Sequence, residues 1–126
     1  MPHIYQLFKG LEARASAEIF TELLQGQQFR LERIVSTGQA TAADTWYDQD
    51  EDEWVILLSG KARLHFADEA QAHELLPGDY VFIPAHCRHR VTWTDPEQIS
   101  VWLALHIKAE PGKQHFTAPC KDAVNS

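Results

Sequence analysis

Glu53 and His89 are the side chains of this sequence whose types and settings suggest chemistry. Glu53 heads the apolar run Trp54-Val55-Ile56-Leu57-Leu58, which Ser59-Gly60 closes. His89 follows a second apolar run, Tyr80-Val81-Phe82-Ile83, after the turn residues Pro84-Ala85, and Gly78 precedes that run. Each is an ionisable group at the end of a strand-like segment bounded by turn residues. A carboxylate and an imidazole delivered from neighbouring strands can bind a divalent cation, because both present lone pairs of the hard-to-borderline class.

The elements that must position them read as short strands. Phe29, Leu31 and Val35 alternate with Arg30, Glu32 and Ile34, the period of a half-buried strand. Further strands are expected over Trp54 to Leu58, Ala62 to Phe66, Tyr80 to Ile83, Arg90 to Thr94 and Ile99 to Ile107. Each is rich in β-branched or aromatic residues, and turn signals such as Ala67-Asp68-Glu69, Pro77-Gly78 and Asp95-Pro96 separate them. Many short strands at this spacing imply a sandwich or a closed barrel. One helix is expected ahead of them. Ser16 can cap it, apolar residues fall at Ile19, Phe20, Leu23 and Leu24, and Gly26 can stop it. That helix would pack on the barrel and carry no chemistry. The segment from Glu110 to Ser126 contains Pro111, Gly112 and Pro119 without periodicity and reads as an irregular tail. The chain is thus one domain: residues 1–36 as helix and first strand, 37–109 as barrel core, 110–126 as tail.

The two runs with their ionisable residues resemble the halves of the cupin signature. The first half of that family's motif is G-x5-H-x-H-x3,4-E-x6-G, and Glu53 with Gly60 fits its E-x6-G. The second is G-x5-P-x-G-x2-H-x3-N, and Gly78, Pro84 and His89 fit its glycine, proline and histidine. The resemblance runs from about Gly38 to about Ile107. It implies a small antiparallel β-barrel of jelly-roll type. It also implies one divalent metal, such as zinc, manganese, iron or nickel, held by inward-pointing histidines and a carboxylate. Carried over residue by residue, Glu53 takes the carboxylate position and His89 the second-motif histidine. Both first-motif histidines are replaced. A four-residue spacer puts Trp46 and Asp48 at those positions; a three-residue spacer puts Tyr47 and Gln49 there. In an unbroken strand Tyr47, Gln49 and Glu53 share a face. A bulge in Asp50-Glu51-Asp52 would favour the other pair, so both registers stay open. The motif glycine is His86, which adds a candidate ligand, and the closing asparagine is Trp93, a candidate pocket wall. His106 lies in the last strand on the face of Trp102 and Ala104. His65 and His73 read as surface residues, and His3 and His115 belong to terminal segments.

Composition narrows the partners. The net charge is −7, and five of the 18 acidic residues fall at Asp48, Asp50, Glu51, Asp52 and Glu53. No basic face is left for nucleic acid or for an anionic membrane surface. No apolar run is long enough to cross a bilayer. The N-terminus Met1-Pro2-His3-Ile4 lacks a basic, apolar leader, and Cys87 and Cys120 form no C-x-x-C pair. A cytoplasmic protein with a half-buried free thiol at Cys87 is the expectation. Three functions follow. The first is a metal enzyme using Glu53 and His89, helped by Asp48 or Gln49 and by His86, on a small oxygenated substrate. The second is a metal-free module that holds a small molecule by stacking and hydrogen bonds at Trp46, Tyr47, Trp93 and His89. The third is a regulatory or structural protein acting as a homodimer, the pairing that the resemblance implies.

Overall fold

Strand β8 (Ser100–Lys108) is the spine of the larger of two antiparallel sheets. On one side it pairs with β2 (Phe29–Ser36), which pairs in turn with β1 (Ile19–Gln25). On the other it pairs with β3 (Glu51–Ser59), which pairs with β6 (Tyr80–Ile83). A three-stranded sheet of β5 (His73–Leu75), β4 (Ala62–Phe66) and β7 (His89–Thr94) completes the fold. The computed structural model describes residues 2–11 and 15–108; the tail expected over 110–126 lies outside them. No helix of the described residues is long and apolar enough to cross a membrane.

The core follows from alternation. Val55 and Leu57 of β3 and Trp102 and Ala104 of β8 face inward and pack against Ala62 and Leu64 of β4 and Ile83 of β6. Register brings these inward residues side by side: Val55 lies opposite Ala104, and Leu57 opposite Trp102. The same parity carries Glu53 and His106, which are paired across β3 and β8, onto the inner face.

The helix expected from Ser16 to Gln25 is not there: residues 19–25 form strand β1. A ten-residue helix must overcome a costly nucleus with only side-chain contacts to hold it. Pairing with β2 instead supplies a ladder of backbone hydrogen bonds. The apolar doublets that mimicked helical spacing come from a bulge between Glu22 and Leu24, which resets the alternation halfway along the strand. Gly26 ends a hairpin, its N–H donating to the Phe29 carbonyl at 2.9 Å, and does not stop a helix.

Cys87 is also corrected. It is 3% exposed and packed into the core, and it is disulfide-bonded. The free thiol expected at Cys87 is therefore not found, and the cysteines lend no support to the expected cytoplasmic location.

Candidate functional site

A cavity of about 340 Å³ opens between the two sheets. Its inner wall is apolar: Ile34, Val55, Leu64, Ile83, Val91 and Trp102. Its polar part is built from Glu53, His89 and His106, with Tyr47, Gln49, Arg30, Glu32 and Glu18 around them.

Strand β7 delivers His89 and the backbone holds it there. Its N–H donates to the Tyr47 carbonyl, and its own carbonyl accepts from the Tyr47 N–H at 2.8 Å, an isolated bridge outside the two sheets. Nδ1 lies 2.8 Å from the Cys87 carbonyl oxygen. A carbonyl only accepts, so Nδ1 carries the proton and Nε2 is left for other chemistry. Nε2 stands 3.6 Å from Oε1 of Glu53. Both side chains are nearly closed off from solvent, at 7% and 10% exposure. The Tyr47 ring lies 5.7 Å from the imidazole at the mouth, itself 40% exposed, and Phe66 lies behind it at 6.4 Å.

A second layer of charge stands beside this pair. His106 Nε2 donates to Glu32 Oε1 at 3.0 Å, and Arg30 donates to Glu51 Oε1 at 2.6 Å. His106 Nδ1 is buried without a partner, 4.0 Å from the same Glu51 oxygen.

The sequence-derived candidates divide clearly. Tyr47, Gln49, Glu53, His89 and His106 all line the cavity. Of the two open registers, the inward one is therefore that of Tyr47 and Gln49. Asp48 is turned outward, its Oδ1 2.7 Å from Nδ1 of His86, and both side chains are about half exposed or more. Trp46 lies outside the smaller sheet, edge-on to His65 and under the Arg90 guanidinium. Trp93 is also outside, with Arg63 stacked over its ring at 4.8 Å. A bulge between Arg63 and Leu64 is the reason: it breaks the parity that would have aimed Trp93 inward with His89 and Val91. His86 takes a left-handed conformation, φ 65°. This explains the family's glycine at that position, which a non-glycine residue occupies at a cost of about 1 kcal/mol.

Arg30, Glu32, Glu18 and Phe20 line the cavity without having been singled out from the sequence. Arg30 and Glu32 had looked like the solvent phase of β2. The signal was available in Ile34, an apolar residue in the same phase, which lies opposite the inward Trp102.

A metal of the kind the family holds does not fit this set of residues. Glu53 and His89 supply two donors. The positions that would supply the rest hold a tyrosine and an amide. Among the described residues no three His, Cys, Asp or Glu side chains come together closely enough to hold an ion.

The comparisons with known proteins agree on the fold. The cupin domain family model matches residues 32–106. A candidate mannose-6-phosphate isomerase of Ralstonia eutropha is 42% identical, with 86% of this chain and all of that one covered at a TM-score of 0.83. A cupin superfamily protein of Desulfitobacterium hafniense is 20% identical, covering 79% of this chain and 84% of its own, at 0.65. An RmlC-like cupin of Methanocaldococcus jannaschii with a double-stranded β-helix fold is 14% identical, covering 100% and 98%, at 0.62. No curated protein matches the chain. With the family model spanning more than half of the sequence, and with two facing antiparallel sheets enclosing Glu53 and His89, the chain belongs to the cupin family.

Proposed function

We propose that this protein is a small-molecule-binding cupin whose barrel cavity works without a bound metal. One observation carries the reading. The cavity is open and of ligand size, yet the residues beside Glu53 and His89 at the family's ligand positions are Tyr47 and Gln49. A ligand in it would stack on Tyr47, hydrogen-bond to Glu53, His89 and Gln49, and lay its apolar part on Val55, Leu64 and Val91. The metal reading, with zinc, manganese, iron or nickel on Glu53, His89 and Asp48 or Gln49, lacks a strong third donor, since Asp48 is engaged with His86.

A second reading has one observation in its favour. His89, locked as the Nδ1–H tautomer beside a buried carboxylate, is suited to move a proton on a bound carbonyl compound, as an isomerase must. The Ralstonia neighbour points the same way. We place it second because the phosphate of mannose 6-phosphate would meet Glu18, Glu32 and Glu53. Conversion of that sugar phosphate to its ketose in the presence of a chelator would establish it.

A thermal-shift screen separates the readings. Zinc, manganese, iron(II) and nickel are expected to leave the midpoint unchanged. Small molecules that enter the cavity are expected to raise it, and His89→Ala should remove that rise. A metal-induced rise lost in Glu53→Gln and His89→Ala would overturn the metal-free reading.

We also propose a homodimer. The outer face of the larger sheet is as apolar as the inner one. Trp54 and Ile56 of β3, Leu103, Leu105 and Ile107 of β8 and Leu31 of β2 alternate outward and stay only half-buried, and Tyr80 is 66% exposed. A contiguous apolar face of this kind is usually covered by another surface. Light scattering should return twice the 14.4 kDa chain mass; a monomer at all concentrations would refute the pairing.

A further inference from the structure

We infer that the ligand this cavity selects is a small organic cation, a primary or secondary ammonium on an aliphatic or alicyclic body. The inference rests on the proposed reading of the cavity as a metal-free ligand site and adds the class of molecule it takes.

The argument is a census of donors and acceptors. Glu53 is 8% exposed, and among the described residues no N–H or O–H group donates a hydrogen bond to its carboxylate. The nearest polar atom is His89 Nε2 at 3.6 Å. Nδ1 of that ring is engaged by the Cys87 carbonyl, and Nε2 at 3.6 Å stands beyond hydrogen-bond reach of the carboxylate. The Glu53 carboxylate is therefore buried with no hydrogen-bond donor on it among the described residues. A buried polar group without a partner is unfavourable, and a buried carboxylate without one is more so. The group that satisfies this carboxylate is a charged donor with several N–H bonds, which an ammonium is.

The charges around this pair select for the same sign. Glu32 and Glu18 also line the cavity. Each accepts one hydrogen bond, from His106 Nε2 and Ser36 Oγ respectively, and keeps lone pairs free. Arg30 is the one permanently charged cation among the described lining residues, and Glu51 holds it at 2.6 Å. The field in the cavity is negative, and an anionic ligand would add like charge to it. The wall formed by Val55, Leu64, Ile83 and Val91 offers nothing polar, so the rest of the ligand must be hydrocarbon.

The test uses three probes of one shape and different charge: cyclohexylammonium, cyclohexanol and cyclohexanecarboxylate. They are titrated onto the chelator-treated full chain, and binding is followed by the NMR resonances of the His89 ring. The ammonium is expected to bind about ten-fold more tightly than the alcohol, the size of one charge-assisted hydrogen bond. The carboxylate should not bind. Glu53→Gln should bring the ammonium down to the level of the alcohol, and Glu32→Gln should weaken it less. Equal binding of alcohol and ammonium would overturn the inference and leave the ligand-site reading standing, as would tighter binding of the carboxylate. No binding by any of the three, with the variants and wild type all folded by circular dichroism, would overturn both.

Discussion

Gly60→Ala is expected to destabilise the protein by about 3 kcal/mol, combining backbone strain and overpacking. Gly60 turns the chain from β3 into β4 with φ +86°, where a side chain is strained. A Cβ there would also lie 2.5 Å from the Cα of Ser100, and a backbone atom cannot rotate away. Ser100 is fully buried at the start of β8, and its Oγ accepts from the Lys61 N–H at 3.2 Å. Moving it would disturb the central strand. Gly78→Ala is the control. Its φ is +96°, but a Cβ there meets nothing within 4 Å. It should cost only the backbone component, about 1 kcal/mol. Urea denaturation of the two variants measures the difference. Equal losses would show that the Gly60–Ser100 approach does not constrain the fold.

Glu53→Gln is expected to act in opposite directions on stability and on binding. The carboxylate is nearly buried and accepts no hydrogen bond among the described residues, whereas the amide is neutral and can donate to His89 Nε2. Stability of the ligand-free protein should rise by about 1 kcal/mol. The midpoint should rise by roughly 3 °C for a chain of this size. Binding of an ammonium ligand should weaken about ten-fold, to the level of its uncharged analogue, because the charge that would meet the ligand's donor is gone. A gain in stability with a loss of function marks a residue kept for its site and not for the fold. Loss of about 2 kcal/mol or more, with binding intact, would assign Glu53 a structural role instead.

Much of the fold was legible because strand alternation and turn residues coincide in it. β4 and β6 run between the expected residues, and β7 and β8 differ from expectation by a residue at their ends. β5 escaped because three residues carry no period. β1 was misread because a bulge turns two strand phases into helix-like spacing. In the site, Glu53 and His89 were legible from motif spacing. The outward positions of Trp93 and Asp48 were not, since a bulge at Arg63/Leu64 and an ion pair with His86 decide them. The charged lining from β2 was hidden for a related reason. Arg30 and Glu32 face a cavity, and a polar residue facing a cavity has the same sequence pattern as one facing solvent.

The central claim is that the cavity holds its ligand without a metal, and the most direct test is elemental analysis of the protein purified without a histidine tag. Traces of zinc, manganese, iron and nickel far below one equivalent per chain, equal in wild type, Glu53→Gln and His89→Ala, are the predicted result. One equivalent of a divalent metal in wild type, absent from both variants, would contradict it and restore Glu53 and His89 as ligands of a metal centre.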